Sequence, residues 1–341
     1  MATATAAVSH VGALCGHPHS SSSLSQQQGA ATTRVAALAS RSHIGQFVRS
    51  SALLSSRRTG VLQNNSAKIY VVRAAASSSS EEDSVRQFCV EKFGARQGLK
   101  VIAGLHNFNA ESVAKVVIAA EKGGATHVDI ACDPDLVRLA ASLTSLPICV
   151  SSIEPEAFVS AVEAGAHMIE IGNYDGFYST GRVFSAEEVL DLTKRTRKLL
   201  PNVVLSVTVP HTLPLDEQVR LAEMLEEEEA DLIQTEGGTS SAPSKPGVHG
   251  LIEKAAPTLA AAYSISRAVK VPVICASGLS VVTTPMAITA GAAGVGIGSA
   301  VNRLNDQLEM IAAVRSIADS LGLPSRSSTV PHPTFHQMIS N

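Results

Sequence analysis

The sequence of 341 residues contains no tryptophan and only 4% aromatic residues. It also lacks the uninterrupted apolar run of about 18 residues that a membrane-spanning helix needs, since polar residues and Gly interrupt the alanine-rich stretches near Ala260 and Ala290. Its five cysteines show neither Cys-x-x-Cys spacing nor a pair of histidines suited to zinc. These absences exclude a transmembrane protein and leave the cysteines as small buried side chains in an interior compartment.

Acidic residues are missing from the first 80 positions, which carry seven Lys and Arg residues and no Asp or Glu. Without that segment the remaining chain has 20 basic and 30 acidic residues, a formal charge of −10. A domain with this negative charge repels the phosphodiester backbone of a nucleic acid unless its basic residues are clustered on one face. The charge balance therefore argues against nucleic acid as a partner.

The N-terminal segment is rich in Ser, Ala and Thr and has only isolated Arg residues, as organelle transit peptides do. We predict a plastid transit peptide over residues 1–74, with stromal localisation, because Val72-Arg73-Ala74-Ala75 resembles a stromal processing site. Residues 75–84 are predicted to be a linker. The alternative is a disordered tail with another purpose, and both interpretations predict no packed structure before about Ala75.

From Lys100 onward, short β-branched runs alternate with segments of helical period, which is the pattern of a parallel sheet with crossover helices. Eight such units predict an α/β fold, a (β/α)8 TIM barrel over residues 85–322, with a C-terminal tail at 323–341. A doubly wound open sheet is the alternative. An amphipathic helix over residues 81–97 is expected to cap the bottom of the barrel. The predicted strands are Lys100–Leu105, His127–Ala131, Ile148–Ser152, Met168–Gly172, Val203–Thr208, Leu232–Glu236, Val273–Ser277 and Val295–Ser299.

An internal repeat marks the even-numbered strands. Each is entered through a Gly-Ala type turn, and the same position of the repeat holds Asp129, Glu170, Gln234 and Gly296. Since alternate strands supply each layer of side chains inside a barrel, these four positions are predicted to share one layer. A buried pair of carboxylates must be protonated, hydrogen-bonded or bound to a cation. The layer is a candidate catalytic centre, and a polar core satisfied by Ser, Thr and buried water is the alternative.

The glycines of the last two units predict a phosphate site. Ala276-Ser277-Gly278 follows the seventh strand, and the segment Gly294–Ala300 runs through the eighth. Glycine lets main-chain N–H groups approach an oxyanion closely, and TIM barrels hold phosphate at this place. The alternative is that these glycines only permit tight turns. The candidate phosphate-binding residues are Ser277, Gly278, Gly296, Gly298 and Ser299.

Polar side chains where other strands end are candidates for acid–base catalysis. His106 or His211 would serve as acid or base, with Glu170 or Glu236 as a carboxylate partner. Two long loops, Asn173–Ser185 and Gly237–Pro257, are expected to cover a ligand or to form oligomer contacts. Lys100 is predicted at the entrance of the first strand, and the other lysines are predicted on helices, on turns or in the sixth loop. Schiff-base chemistry needs a lysine amine inside the barrel, so it is not expected.

Four segments together resemble one known family: Ile102–Asn109, Val207–His211, Gln234–Gly238 and Gly294–Ser299. This is the hypothetical chloroplast reading frame family number twenty-three, found in algal plastids and cyanobacteria. The resemblance covers roughly residues 85–322. It implies an aldolase-type barrel and plastid residence, but it implies no activity, because the family has no assigned function.

The sequence thus leads to one principal hypothesis and two alternatives. The principal hypothesis is an isomerase or lyase that acts on a small phosphorylated metabolite, with Asp129, Glu170, His211 and Glu236 as the catalytic candidates. A barrel that binds flavin mononucleotide through the same glycines is the first alternative, and a non-catalytic metabolite sensor or scaffold is the second. Whether a divalent metal joins the carboxylates and whether the chain forms homo-oligomers are left open.

Overall fold

Eight short strands, each followed by at least one helix, make up the computed structural model, which describes residues 79–238 and 243–324. The β-branched and aliphatic residues of each strand alternate between the two faces of the sheet. The strands are β1 (Gly98–Ile102), β2 (His127–Ala131), β3 (Ile148–Ser152), β4 (Met168–Ile171), β5 (Val204–Val209), β6 (Leu232–Thr235), β7 (Val273–Ala276) and β8 (Gly294–Ile297).

All eight strands are parallel and pair with their neighbours in chain order, and β8 pairs with β1 to close the sheet. In that last pairing Lys100 lies opposite Gly296. The fold is therefore the predicted (β/α)8 barrel, and the open doubly wound sheet is excluded. Closure brings the carboxyl ends of all eight strands to one rim, where barrels of this type carry their sites.

Helices surround the barrel. They are α1 (Ser79–Gly94), α2 (Ala110–Gly123), α3 (Pro134–Leu143), α4 (Ala157–Glu163), α5 (Asp175–Tyr178), α6 (Ala186–Leu199), α7 (Leu215–Glu227), α8 (Gly247–Ala268), α9 (Thr284–Ala290), α10 (Ser299–Asn302) and α11 (Gln307–Ser320). None of these described helices combines the length and apolarity needed to cross a membrane.

The internal repeat corresponds to four helix ends of the same design. The residue that ends each repeat's helix has positive φ: Gly124, Gly165, Glu229 and Gly291. The Ala that follows donates its main-chain N–H to the carbonyl five residues earlier, as in Ala125 N to Ala120 O. This is the hydrogen bond of a Schellman motif, in which a left-handed residue stops the helix. The repeat therefore determines where β2, β4, β6 and β8 begin.

Apolar side chains form two separate cores. The larger one lies between the strands and the outer helices. The smaller one lies inside the barrel at its amino-terminal end, where Cys89 and Phe93 of α1 pack on Met168 and Leu232. The Phe93 ring stacks on His127 with centroids 4.4 Å apart. Helix α1 therefore caps the bottom of the barrel, as predicted.

Three predicted boundaries differ in the structure. Strand β1 runs from Gly98 to Ile102, two to three residues earlier than predicted, so Lys100 lies in its middle. Helix α8 begins at Gly247 and continues through Pro257, so the predicted sixth loop is shorter. Helix α1 begins at Ser79, inside the stretch predicted as a linker. The predicted transit peptide and residues 325–341 of the tail lie outside the described residues.

Candidate functional site

The four repeat positions meet inside the barrel in one layer. Gln234 Nε2 donates a hydrogen bond to Glu170 Oε1 at 2.6 Å, and a Cβ atom on Gly296 would lie 3.3 Å from Gln234 Oε1. Asp129 and Glu170 are almost completely buried. The predicted convergence of these positions is therefore present in the structure.

Lys100 supplies the cation for this layer, contrary to its predicted place at the strand entrance. Its side chain is fully buried, and its Nζ forms an ion pair with Glu170 and lies 3.3 Å from Asp129 Oδ2. Burial alone lowers the pKa of Lys100, but the two carboxylates raise it above its ordinary value. Lys100 is therefore a protonated partner of the carboxylates, and its ammonium supplies the cation that they require.

Hydroxyl and amide groups satisfy the rest of the layer. Glu170 also accepts hydrogen bonds from Ser206 Oγ at 2.8 Å and from Thr208 Oγ1 at 3.3 Å. Asp129 accepts one from Ser151 Oγ at 2.6 Å. Burial raises the pKa of Asp129 to about 6, although Lys100 acts in the opposite direction. Both carboxylates therefore lie inside a polar core, and a catalytic role for Asp129 and Glu170 stays a prediction.

Above that core, a cavity of about 530 Å³ opens at the carboxyl ends of the strands. Gln234 and Gly296 form part of its floor, while Asp129 and Glu170 do not line it. The structure thus separates the four catalytic candidates into two pairs at different depths. The inner pair is Asp129 and Glu170, and the outer pair is His211 and Glu236.

In the outer pair, the carboxylate of Glu236 is held by hydrogen bonds from its neighbours. Glu236 Oε2 lies 2.9 Å from His211 Nδ1 and accepts hydrogen bonds from Tyr178 OH at 2.6 Å and from the His211 main-chain N–H at 3.2 Å. The hydrogen bond to Glu236 raises the pKa of His211 above its ordinary value, although burial acts against it. Since the carboxylate accepts at Nδ1, the neutral imidazole has Nε2 free to take a proton.

The other oxygen of Glu236 is buried and unpaired. Glu236 lines the cavity, and its Oε1 is buried with no hydrogen-bond partner among the described residues. A Cβ atom on Gly238 would lie 2.6 Å from His211 Nε2, and Gly238 has a φ of +75°, so only glycine suits this position. Asp175, His211 and Glu236 each offer one ligand atom, and these three atoms lie within 4.8 Å of one another. A divalent cation accepts such a set of donors.

The candidate phosphate-binding segments lie side by side, because β7 pairs with β8. Ser277, Gly278, Gly298 and Ser299 all line the cavity. No hydrogen bond between described residues uses the main-chain N–H of Ser277, Gly278 or Gly298. Ser277 and Gly278 have φ values of 75° and 69°, an unfavourable conformation for a serine. Gly296 lies deeper, within β8, where a Cβ atom would lie 2.9 Å from Ala276 Cβ, so the absence of a side chain permits close packing rather than leaving space for a ligand.

Two cations at the cavity were not among the sequence candidates. Lys254 of α8 and Arg303, directly after α10, line it together with the loops that follow β7 and β8. Neither side chain has an ion-pair partner among the described residues. No signal in the sequence identified these two residues, because only the packing of α8 and α10 at the barrel rim brings them to the cavity.

The loop after β4 forms one side of the site. It contains the short helix α5, and Phe177 packs edge-on against His106 with centroids 4.7 Å apart. The guanidinium of Arg182 lies 4.6 Å from the centre of the Phe184 ring. His106 is exposed and lines the cavity, and it forms no hydrogen bond with His211 or Glu236 among the described residues.

Comparison with known proteins places most of the chain in one family. Residues 85–326 match a family described as "Protein of unknown function (DUF561)". "Uncharacterized protein ycf23" of Cyanophora paradoxa is 47% identical over 221 residues, covering 64% of this chain and 90% of that protein. The protein of the same name from Porphyra purpurea is 41% identical over 219 residues, covering 64% and 83%.

Two solved structures illustrate more distant similarity. (S)-3-O-geranylgeranylglyceryl phosphate synthase from Thermoplasma acidophilum is 14% identical with a TM-score of 0.48, covering 70% of this chain and 97% of that one. 3-Hexulose-6-phosphate synthase is 15% identical with a TM-score of 0.47, covering 65% and 99%. The barrel itself is established by the strand pairing described above.

Proposed function

The chain belongs to the DUF561 family, and we propose that its barrel is a plastid enzyme that binds a small phosphorylated metabolite and moves a proton on it. The family description assigns no activity, so the proposal rests on the cavity. Plastid residence is supported by the acid-free leader and by the relatives' name ycf23, which designates a plastid gene in red algae and Cyanophora.

The observation that carries the proposal is the set of unpaired main-chain N–H groups beside β7 and β8. Those of Ser277, Gly278 and Gly298 donate to no described group, and these three residues line the same cavity as Lys254 and Arg303. Amide N–H groups and cations together form a site for an anion such as a phosphoryl group. Ser299, in the first turn of α10, adds an exposed hydroxyl at the same rim.

Glu236 is the group best placed to move a proton. Its Oε2 is held by Tyr178 and His211, while its Oε1 is buried without a hydrogen-bond partner among the described residues, and the residue lines the cavity. In this proposal Oε1 takes a proton from a carbon next to the carbonyl of the bound metabolite, and His211 Nε2 acts as the second acid–base group. This is the first step of an isomerisation or of an aldol addition, and in an aldol cleavage the reverse transfer, protonation of that carbon, is the last step. Asp129 and Glu170 support the floor from below.

The anion site is tested by the binding of inorganic phosphate, measured by calorimetry. A Cβ atom on Gly298 would lie no closer than 3.4 Å to any neighbour, so the backbone there accepts a small side chain. We expect Gly298→Asp to weaken phosphate binding at least about tenfold more than Gly298→Asn, which has the same size without the charge. Equal effects of the two substitutions would contradict an anion site at this place.

Proton transfer is tested by exchange in D2O. Dihydroxyacetone phosphate is incubated with the protein, and loss of the C–H signal next to its carbonyl is followed by NMR. We expect Glu236→Gln to reduce the exchange rate by about 10²–10⁴-fold and Tyr178→Phe to reduce it less, because the carboxylate remains. Exchange that persists unchanged in Glu236→Gln would remove Glu236 from the mechanism.

A further inference from the structure

The loop after β4 begins at a residue with a left-handed backbone. Asn173 has a φ of 61°, a conformation that residues other than Gly seldom adopt and that Asn tolerates best. Directly before it, Gly172 has no room for a Cβ atom, which would clash with Thr208 Oγ1. Thr208 belongs to the inner polar layer, because it donates to Glu170. The chain therefore passes close to that layer before it enters the loop.

The side chain of Asn173 is hydrogen-bonded to the same layer. Its Nδ2 donates to Ser151 Oγ at 2.7 Å and to Asp129 Oδ2 at 3.4 Å. Ser151 in turn donates to Asp129 Oδ1 at 2.6 Å. A reversed amide would place its oxygen against a carboxylate and against a hydroxyl whose hydrogen is already donated, so the orientation of the amide is determined. Asn173 thus joins the loop to a buried carboxylate.

The core holds that carboxylate in place. Asp129 is 1% exposed, and its Oδ2 lies 3.3 Å from Nζ of the fully buried Lys100. Moving Asp129 away would separate a buried charge from its partner, which is strongly unfavourable. A hydrogen bond to an ionised group is also stronger than one between neutral groups. The first residue of the loop is therefore anchored on a fixed and charged acceptor.

The other end of the same turn reaches Glu236. Helix α5 follows Asn173 closely and ends at Tyr178, whose OH donates to Glu236 Oε2 at 2.6 Å. Within this turn, the main-chain N–H of Phe177 donates to Tyr174 O at 2.8 Å. Because a single helical turn has a defined geometry, the position of the Tyr178 ring depends on the direction in which the chain leaves Asn173.

From these contacts we infer that Asn173 is a positioning residue, whose amide holds the loop after β4 where Tyr178 can donate to Glu236. The hold on the loop is a property of the fold. Its effect on proton transfer deepens the proposed function and rests on it. The inference also gives Asp129 a role at a cavity that it does not line, since it acts through Asn173, which does line it.

The alternative is that only the backbone of Asn173 matters, and Asn173→Gly separates the two, because glycine keeps the left-handed conformation and lacks the amide. Exchange of main-chain N–H groups in D2O is followed by NMR. We expect those of Phe177 and Thr180, which donate within the loop, to exchange about tenfold faster in this variant. Glu229→Gly is the matched control, since Glu229 is exposed, has a φ of 63° and lies outside the loop. It should leave these rates unchanged.

Swapping the two polar groups tests the link between Asn173 and Asp129 directly. Asn173→Asp places two carboxylates against each other, so the same loop amides should exchange at least about tenfold faster. Adding Asp129→Asn restores an amide opposite a carboxylate and should return the rates to within about threefold of native protein. A role of the backbone alone predicts no such rescue, because Asn and Asp both tolerate positive φ.

The effect on Glu236 is measured with dihydroxyacetone phosphate in D2O. We expect Asn173→Gly to lower kcat for C–H exchange as Tyr178→Phe does, with KM changed less than about twofold, because the anion site lies beside β7 and β8. In protein that already carries Tyr178→Phe, Asn173→Gly should have little further effect on kcat, since residues that act through one contact are not additive.

Each result decides between the two proposals. Loop exchange that is equal in Asn173→Gly and native protein, or effects of Asn173→Gly and Tyr178→Phe on kcat that simply add, would overturn the inference. If the loop responds as expected but native protein exchanges no C–H of dihydroxyacetone phosphate, the proposed function fails and the anchor stands. Should Asn173→Asp not fold, the comparison of Asn173→Gly with Glu229→Gly still decides.

Discussion

At the scale of single residues, the most consequential side chain is Lys100. Sequence patterning assigned it to a strand entrance, because the β-branched run begins only after it. In the barrel, Lys100 points inward and forms ion pairs with two buried carboxylates. A shift of two residues in the start of β1 therefore changes Lys100 from a peripheral residue into the cation at the centre of the polar core.

Removing this cation should destabilise the fold strongly. We expect Lys100→Met to lower the free energy of unfolding by about 3–5 kcal/mol, because it leaves buried carboxylates without a cation. Adding Glu170→Gln should restore part of that loss. Chemical denaturation measures both. Lys115→Met is the matched control, since Lys115 forms an exposed pair with Glu111 and should change stability by less than about 1 kcal/mol. Equal effects of the two lysine substitutions would contradict the buried pairing.

A second prediction at this scale concerns the protonation of His211. The Glu236 carboxylate stabilises the imidazolium, so the pKa of His211 lies above its ordinary value. The charged form therefore persists to higher pH in native protein and is lost at lower pH in Glu236→Gln. NMR titration of the His211 ring proton measures the change, with the signal of exposed His249 as a reference in each spectrum. A pKa of His211 that does not fall in the variant would disprove the coupling.

At the scale of elements, the turns were predictable and the element boundaries were less so. The Gly-Ala repeat is a local signal, and the left-handed residues at Gly124, Gly165 and Gly291 follow from it. The start of α8 was missed because Pro257 ordinarily marks a helix boundary, whereas here the helix continues through it. Packing of α8 against its neighbours overrides that local preference.

Helix α1 provides a prediction about element packing. Phe93 is fully buried against the bottom of the barrel and stacks on His127. Phe93→Ala should reduce the free energy of unfolding by about 3–5 kcal/mol, because it opens a cavity beneath the strands. Phe108, which is 59% exposed, offers the same substitution as a control, with an expected change within about 0.5 kcal/mol. If denaturation gives both variants the same stability, α1 is not part of the core.

At the scale of the whole molecule, the chain combines a first segment of 80 residues without Asp or Glu and a remainder with a formal charge of −10. We propose that residues 1–74 direct the protein to the plastid and are removed near Ala75. Fused to a fluorescent protein in plant cells, this segment should give chloroplast fluorescence, and residues 75–341 alone should not. Mass spectrometry of the mature N-terminus checks the cleavage position. Mitochondrial fluorescence would contradict the prediction.

The sequence by itself determined the barrel, its eight units, the capping helix and the four repeat positions of the inner layer. Periodicity, turn residues and the repeat are local properties, and each can be detected within one unit. It also predicted Ser277, Gly278, Gly298 and Ser299 as phosphate-binding residues, because glycines after adjacent strands let an anion approach the main-chain N–H groups.

Only the tertiary structure decided which polar residues act together. Barrel closure places Lys100 against Glu170 and Asp129, separates that pair by depth from His211 and Glu236, and brings Lys254 and Arg303 to the cavity. These groups lie far apart in the chain, and their distances depend on how strands and helices pack around a closed ring. Burial and charge pairing follow from that closure, and local sequence does not encode them.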